Sequence, residues 1–259
     1  MAVRFNLIGP FEIVTADGTT HRPSTPKVCQ TLALLLTRPG EVVTTDTLVR
    51  ELWGQRPPRS ALTTLPTYVH HARRLLAAAE PAASALLATR SPGYVIQAAA
   101  DDIDTAVFER LVDHGRQDLR TGHPHRATRH LQQALALRRG PALSNIPTGD
   151  ILTGRAARLE ELHLRALELR IEAEARLGRQ RESIPELRLL VHDYPLNEWF
   201  HGQLISALRH AGRRAEALQA YGALERLLHA ELGLDPSPEI RRIRDELLAD
   251  RPLTPAHGA

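Results

Sequence analysis

The sequence predicts a mainly α-helical protein, in which a small part with short strands precedes a longer run of paired helices. Leucine and alanine dominate the composition, and aromatic residues make up only 4% of the chain, which favours helices over sheets. Alternating apolar patterns and hairpin signals are nevertheless present within residues 1–100. Beyond them, glycines recur at a fixed distance within helical patterns, which is typical of helical repeats.

Short strands are predicted at the N-terminus. Val3 and Phe5 alternate with polar neighbours, Phe11 and Ile13 alternate again, and Asp17-Gly18 is a typical hairpin turn. Two or three such strands are too few to form an independent sheet, so we expect them to pack against helices.

Two helices are predicted after these strands. The apolar residues within 26–38 share one helical face, and Pro39-Gly40 ends that helix. Thr44 is a candidate N-cap for a second helix, which has Leu48 on its buried face. A loop at residues 55–59 follows, and it contains two prolines, which stiffen it, and two arginines.

A third amphipathic helix is predicted within residues 60–76. Five apolar residues fall on one face at helical spacing: Leu62, Leu65, Val69, Ala72 and Leu76. A stripe on the other side contains no acidic residue and is formed by Thr64, Thr67, His71 and Arg74. A helix with one apolar face and one short polar-to-basic face fits the major groove of DNA. The alternative is an ordinary surface helix with a solvated face.

A β-hairpin is predicted after the third helix. Residues 86–89 and 94–96 have strand patterns and flank the turn Arg90-Ser91-Pro92-Gly93. The order of strands, three helices and a hairpin is the winged-helix plan, and the added N-terminal strands make it resemble the OmpR/PhoB subclass. Arg90 at the tip of this wing would lie near a phosphate or the minor groove; otherwise it is a solvated turn arginine.

The rest of the chain is predicted to be a helical repeat domain. Gly122, Gly178 and Gly212 each precede a small residue by five positions and a larger one by nine. The last two of these glycines are 34 residues apart, which is the tetratricopeptide period. We therefore predict a tetratricopeptide-like all-α domain. Its expected elements are antiparallel helix pairs near 103–138, 155–193 and 196–232, a long loop at 143–154 and a closing helix near 236–250.

The domain boundary is predicted at the acidic run of residues 101–104, which we expect to be exposed. The expected domains are 1–100, the winged helix, and 101–251, the repeat domain, with 252–259 as a disordered tail. Residues 1–100 hold nine arginines and Lys27 against six acidic residues, a net charge of +4, whereas 101–259 hold 23 arginines against 24 acidic residues, a net charge of −1. This asymmetry predicts that the first domain meets a polyanion.

Several other classes of protein are not indicated by the sequence. A P-loop, a glycine-rich dinucleotide turn and a nucleophile elbow are all missing from it, so we expect no enzyme and no cofactor. Cys29 is the only cysteine and is expected in the core, while the adjacent His70 and His71 point in different directions on a helix and cannot chelate one metal ion together. The N-terminus has no signal-peptide core and no stretch has transmembrane length, so a cytoplasmic location without a membrane partner is predicted.

These residues make the chain resemble the Streptomyces antibiotic regulatory protein family, from its start to about residue 250. The N-terminal motifs that carry the resemblance are Pro26-Lys27, Leu34-Leu35-Leu36, Pro39-Gly40-Glu41-Val42-Val43, Leu52-Trp53-Gly54, Tyr68-Val69, Arg73-Arg74 and Pro92-Gly93-Tyr94. The motifs that resemble the bacterial transcriptional activator domain are Arg158-Leu159-Glu160-Glu161, Leu177-Gly178-Arg179, Pro195-Leu196-Asn197-Glu198, Gly212-Arg213-Arg214-Ala215-Glu216-Ala217-Leu218 and Glu231-Leu232-Gly233-Leu234-Asp235-Pro236.

The resemblance implies a pathway-specific transcriptional activator of a cluster of antibiotic or other secondary-metabolite genes. Such an activator binds direct repeats in double-stranded DNA close to a promoter and recruits RNA polymerase holoenzyme. It implies a cytoplasmic, nucleoid-associated protein that forms a homodimer at least on DNA. The repeat domain would hold the second protomer or position the polymerase.

The third helix departs from the family pattern. The family usually has glutamine at the position of Pro66 and arginine at the position of His71. Proline lacks the N–H that would bond the carbonyl oxygen of Leu62 and is costly inside a helix. We therefore predict either a helix that starts late, at Thr64, or a kink near Leu62, with residues 67–74 helical in both cases.

The candidate DNA-contacting residues lie on the third helix and the wing. Those expected to face the groove are Thr64, Thr67, His71 and Arg74, and those expected nearer phosphates are Tyr68, His70, Arg73 and the wing residue Arg90. Arg56 and Arg59 lie in the loop that faces polymerase in similar winged helices. An adaptor that binds protein through its helical repeats, with weak or lost DNA reading, is the alternative function. Salt-dependent affinity for DNA distinguishes the two.

Overall fold

A computed structural model describes residues 3–249, which form two compact units that divide between Arg170 and Ile171. The predicted tail at 252–259 lies outside the described residues. The mainly α-helical fold is confirmed, because ten α-helices and six short strands are found between residues 3 and 249. No helix within that range is both long and apolar enough to cross a membrane.

Three strands begin the chain and form an antiparallel sheet in the order β1-β2-β3. They are β1 (Val3–Asn6), β2 (Glu12–Thr15) and β3 (Thr20–His21). Phe5 pairs with Ile13 across the first two strands, and both side chains are fully buried. As expected for so small a sheet, its apolar face is covered by helices.

Three helices follow and contribute most of the first core. They are α1 (Pro26–Leu36), α2 (Thr45–Trp53) and α3 (Ala61–Ala79), and β4 (Val43–Thr44) lies between the first two. The predicted N-cap of α2 is confirmed, since Thr44 Oγ1 accepts a hydrogen bond from the Thr47 N–H at 3.2 Å. Cys29 is buried in α1 as predicted, and its burial raises the pKa of the thiol to about 11.

The predicted wing is confirmed. A short 3₁₀ helix at Pro81–Leu86 leads from α3 into β5 (Leu87–Arg90), which pairs antiparallel with β6 (Gly93–Ile96). A second sheet has the order β4-β6-β5, so the wing is tied to the strand that precedes α2. The winged-helix plan that the order of patterns predicted is therefore the fold of this region.

The predicted late start of α3 at Thr64 is wrong. The helix begins at Ala61, and the Thr64 N–H donates to the Ser60 carbonyl oxygen at 2.8 Å. Pro66 removes only one helical hydrogen bond, and its side chain is exposed. The first turns are held against the core by Ala61 and Leu65, which are buried. The alternative of a kink near residue 62 stays a prediction.

Seven helices make up the rest of the described chain, and their bounds lie close to those of the predicted helices. They are α4 (Asp104–Arg120), α5 (Pro124–Leu135), α6 (Asp150–Arg176), α7 (Ile184–Asp193), α8 (Glu198–His210), α9 (Arg214–Leu232) and α10 (Pro238–Ala249). Ala127 and Ala217, two of the small residues in the glycine-counted pattern, are fully buried. The long loop spans residues 136–149 and is shifted from the predicted 143–154, because α6 already begins at Asp150.

The expected exposure of the whole run 101–104 is wrong. Ile103 is 1% exposed and bridges Phe5, and Asp104 is 8% exposed. The Asp104 carboxylate accepts hydrogen bonds from the N–H groups of Leu7 at 2.8 Å and Ile8 at 2.9 Å, beyond the end of β1. The first compact unit therefore continues past residue 101, and the domain boundary at 100/101 stays a prediction.

The loop at 136–149 packs on the winged helix within the first unit. Asn145 accepts a hydrogen bond from the Phe11 N–H at 2.6 Å and donates one to the Phe11 carbonyl oxygen at 3.2 Å. Arg139 pairs with the buried Glu12 carboxylate. These contacts join segments that are 127 to 134 residues apart in sequence, so loop 136–149 belongs to the core structure of this unit.

The start of α6 is attached to α2 through one buried carboxylate. Glu51 is 3% exposed, and its oxygens accept hydrogen bonds from the N–H groups of Gly149 at 2.7 Å, Ile151 at 2.9 Å and Leu152 at 3.3 Å. The first N–H groups of a helix have no acceptor within the helix, and a negative charge there is also favourable to the helix dipole. Glu51, which belongs to α2, supplies both the missing acceptor and the negative charge to the start of α6.

Acid is expected to destabilise the first unit through His163 of α6. The Nδ1 atom of His163 is shielded from solvent and has no hydrogen-bond partner among residues 3–249. Burial lowers the pKa of His163 from 6.5 to about 4, the charge of Arg138 lowers it further and Glu160 opposes the shift. Because the folded state disfavours the charged ring, stability is complete above pH 6.5 and falls as the pH approaches 4. Linkage alone would give about 3 kcal/mol, and solvent screening of the partly exposed ring reduces this to about 1–2 kcal/mol.

Urea unfolding at several pH values between 4 and 7 measures this dependence. His163→Gln should flatten the pH profile, while His125→Gln, at an exposed position, should leave it as in the wild type. An unchanged slope in His163→Gln would show that other groups cause the acid sensitivity.

Candidate nucleic-acid interface

The exposed face of α3 is the candidate interface. Its buried face is formed by Ala61, Leu65, Val69, Ala72 and Leu76. Thr63, Thr67, His70 and Arg74 recur at spacings of three or four residues and are all exposed, so they form one line on the opposite side. No residue of Ala61–Ala79 is acidic. The line therefore offers hydroxyl, imidazole and guanidinium groups without a carboxylate beside them.

The predicted groove-facing stripe is shifted at its N-terminal end. Thr67, His71 and Arg74 are exposed as the prediction requires, but Thr64 is only half-exposed, and Thr63 was missed. The cause is the assignment of Leu62 to the apolar face, because Leu62 is 62% exposed and Ala61 is buried instead. The spacing of four between Thr63 and Thr67 is the signal that identifies the missed residue.

Arg73 connects α3 to the wing. Its Nε donates to the Leu87 carbonyl oxygen at 2.9 Å, and its Nη2 donates to Thr89 Oγ1 at 2.9 Å. These two hydrogen bonds use only two of the five N–H donors of the guanidinium. The predicted contact of Arg73 with a phosphate therefore stays a prediction. The observed bonds give it a positioning role, since they fix strand β5 against the exposed helix.

Tyr68 connects α3 to α2. Its ring stacks on Trp53 with centroids 5.9 Å apart and an interplanar angle of 25°. Both side chains are half-buried. The tyrosine therefore stabilises the angle between the two helices, and its predicted place near a phosphate stays a prediction.

The remaining predicted arginines lie at the two ends of the candidate interface. Arg90 is exposed at the end of β5, at the tip of the wing. Arg56 and Arg59 are exposed in the loop between α2 and α3, where the Pro58 carbonyl oxygen accepts a hydrogen bond from the Ala61 N–H at 2.9 Å. Arg74 therefore lies on α3, to which the wing is also attached through Arg73. Arg56 and Arg59 lie in the loop before the first turn of α3.

Two of the six acidic residues of the winged helix are withdrawn from its surface. Glu51 accepts backbone hydrogen bonds at the start of α6, and Glu12 pairs with Arg22 at 2.7 Å and with Arg139. Burial raises the pKa of Glu12, but the hydrogen bond from Arg22 and the charges of both arginines outweigh this and lower it. Both carboxylates are therefore engaged inside the unit, and neither adds negative charge to the exposed face of α3.

Residues 3–249 contain no group of three or more histidine, cysteine, aspartate or glutamate side chains placed to hold a metal ion. The site consists of an exposed helix, a wing fixed to it and a loop in front of it. A winged helix of this form, joined to helical repeats, defines the class of bacterial transcriptional regulators.

Comparison with known proteins identifies the family. The model described as "Transcriptional regulatory protein, C terminal" matches residues 20–96, and "Bacterial transcriptional activator domain" matches residues 103–248. The regulatory protein DnrI of Streptomyces peucetius is 36% identical over 261 residues, which cover 99% of this chain and 96% of that protein. The transcriptional regulator RedD of Streptomyces coelicolor is 35% identical, over 97% of this chain and 72% of RedD. The chain belongs to the Streptomyces antibiotic regulatory protein family and is a transcriptional regulator.

A solved structure has the same fold. Mycobacterium tuberculosis EmbR, in complex with a low-affinity phosphopeptide, is similar with a TM-score of 0.88 and 31% sequence identity. The likeness covers 98% of this chain and 66% of that one.

Proposed function

We propose that the protein is a sequence-specific DNA-binding activator of a secondary-metabolite gene cluster. The observation that carries this proposal is the acid-free line of exposed polar and basic residues on α3, next to a wing that Arg73 fixes in place. A helix of this form, in a winged-helix protein, is placed in the major groove. The family to which the chain belongs supports a role in regulating such genes.

The proposed arrangement on DNA follows from the exposed side chains. Thr63, Thr67, His71 and Arg74 would face base edges in the major groove, where hydroxyl, imidazole and guanidinium groups read donor and acceptor patterns. His70 on the neighbouring position would lie nearer the backbone. Arg90 at the wing tip would contact a phosphate or the adjacent minor groove, and such contacts position the protein without reading sequence.

Further partners are proposed from the same features. Arg56 and Arg59 lie exposed in a loop stiffened by two prolines, and we assign them to RNA polymerase holoenzyme. Binding to direct repeats would place two copies side by side on the DNA, and the repeat helices would hold the second protomer or position the polymerase. This function requires a cytoplasmic, nucleoid-associated protein.

Footprinting on the promoters of the native genome tests the proposal. The expected result is protection of direct repeats close upstream of a biosynthetic operon, and transcription from that promoter in a reconstituted system should rise when the protein is added. Binding that is weak and insensitive to salt on every promoter would instead favour a protein-binding adaptor.

Arg74→Ala is expected to weaken DNA binding broadly. The guanidinium is exposed on the basic line of α3, and each positive charge removed from the interface reduces the slope of log affinity against log salt by about 1. Fluorescence anisotropy with a promoter fragment, from low to physiological salt, measures both quantities. Arg181→Ala, an exposed arginine of the second unit, is the matched control and should retain the wild-type slope. Equal affinity of Arg74→Ala and wild type at low salt would contradict the assignment.

A further inference from the structure

The first two turns of α3 carry an exposed apolar edge. Leu62 is 62% exposed, and Pro66, four residues later, is also exposed. Residues at this spacing lie on the same face of a helix with their Cβ atoms about 5–6 Å apart. The two side chains therefore form one short apolar strip beside the line of Thr63, Thr67 and His70.

Most of the surface of this strip lies outside the core of the described residues. Leu62 lies at the edge of the buried face of α3, beside Ala61 and Leu65, which are 3% and 0% exposed and anchor the first turns in the core. Leaving a leucine largely exposed forfeits part of the stabilisation that its burial would contribute. Proline inside the helix adds a further cost. Both residues are thus costly to the free protein and are placed where the proposed DNA would cover them.

We propose that Leu62 and Pro66 read the C5-methyl groups of thymines in the major groove. This inference rests on the proposed function, since it requires α3 to occupy the groove. Neither side chain has a hydrogen-bond donor or acceptor, and Pro66 has no backbone N–H either, so the strip contacts base edges only through apolar surface. The thymine methyl is the one apolar group that a base pair presents in the major groove.

The charge of the surrounding surface identifies DNA as the occupant. The strip lies on a helix without acidic residues, and the exposed side chains that flank it are Thr63, Thr67 and His70. Arg74 continues the same line two turns further along α3. A polyanion is attracted to such a surface, whereas an apolar protein groove would gain nothing from the arginine and imidazole beside the strip.

The geometry also sets the spacing of the methyl groups. Leu62 and Pro66 are separated by about 6 Å along the helix surface, and successive base pairs rise by about 3.4 Å. The two residues therefore contact thymines about two base pairs apart.

Replacement of thymine by deoxyuracil tests the proposal, because it removes only the methyl group. The full-length protein is bound to a promoter fragment defined by footprinting, and each thymine of one protected repeat is replaced singly. Two replacements, about two base pairs apart, should each weaken wild-type binding about three- to fivefold. Leu62→Ala should no longer lose affinity when one of these two thymines is replaced by deoxyuracil. Pro66→Ala should no longer lose affinity when the other thymine is replaced. Leu62→Met should retain the first effect, since it keeps an apolar side chain of similar size.

Thr63→Ser is the matched control, because it removes one of the two threonine methyl groups on the neighbouring line, the one beside Leu62, and keeps the hydroxyl. Disappearance of methyl sensitivity in Thr63→Ser, with its persistence in Leu62→Ala and Pro66→Ala, would overturn the proposal. Wild-type binding that is unaffected by deoxyuracil at every thymine would overturn it as well, while leaving the proposed function intact. Absence of salt-dependent binding to any promoter DNA would overturn both. Circular dichroism of the variants confirms that a loss of affinity is not a loss of fold.

Discussion

Glu51→Ala is expected to lower the free energy of unfolding by about 3–5 kcal/mol, because it removes the acceptor for three backbone N–H groups. Glu51 is 3% exposed, so water replaces its carboxylate poorly. An unsatisfied buried donor costs about 1–3 kcal/mol, and the N–H groups of Gly149, Ile151 and Leu152 around the start of α6 would all lose their partner. The backbone of Gly149 also lies close to α2, since a Cβ added to it would be 2.3 Å from the Glu51 carbonyl oxygen.

Urea unfolding followed by circular dichroism measures the effect. Glu51→Gln keeps the shape and one acceptor oxygen, and we expect it to lose roughly half as much stability. Glu41→Ala removes an exposed carboxylate of the same type and should stay within about 0.5 kcal/mol of the wild type. A Glu51→Ala protein as stable as Glu41→Ala would show that the hydrogen bonds to α6 contribute nothing.

Local signals account for the parts of the fold that the sequence predicts well. The Thr44 cap, the turn at Asp17-Gly18 and the wing hairpin each depend on a few neighbouring residues with a particular backbone preference. The helix pairs of the repeat domain follow from a glycine at a helix end and a small residue five positions later. These interactions form between residues close in sequence, so one sequence contains all the necessary information.

The contacts that the sequence does not predict join segments far apart in the chain. Asp104 was expected at the surface because an unpaired carboxylate is costly to bury. It lies in the core because Leu7 and Ile8, almost a hundred residues earlier, donate their N–H groups to it. Glu51 and Asn145 are similar cases, with partners about a hundred residues or more away. Nothing in the sequence near such a residue identifies its partner.

The candidate site is predicted to within one helical position. The helix and the exposure of Thr67, His71 and Arg74 agree with the prediction, because hydrophobic periodicity determines which side of a long helix faces outward. Their contacts with DNA stay a prediction. At the N-terminal end of α3 the structure buries Ala61 and exposes Leu62. The prediction places Leu62 in the core, because leucine is the more apolar of the two residues. The intramolecular partners of Arg73 and Tyr68 could not be inferred, because they belong to the wing and to α2.

Gly93→Ala is expected to disrupt the wing. Gly93 pairs with Thr44 on one side and with Arg90 on the other, and a Cβ at this position would lie 2.0 Å from the Val43 carbonyl oxygen and 2.8 Å from the Thr44 Cα atom. Both atoms belong to the backbone, so no side-chain rotation relieves the overlap. Strand β6 would have to separate from β4, at a cost of at least about 2–3 kcal/mol.

The expected readouts are a lower urea midpoint and weaker DNA binding, because Arg90 is carried by the strand that pairs with Gly93. Gly154→Ala is the matched control: this glycine lies in α6 with nothing within 4 Å of the added Cβ, so alanine should stabilise the helix by about 0.5–1 kcal/mol. The same substitution is thus expected to act with opposite sign at the two positions. Equal stability of both variants would contradict the close approach of β6 to β4. A destabilised Gly93→Ala protein with unchanged DNA affinity would instead show that the wing stabilises the fold and does not contact DNA, leaving α3 as the sole reading element.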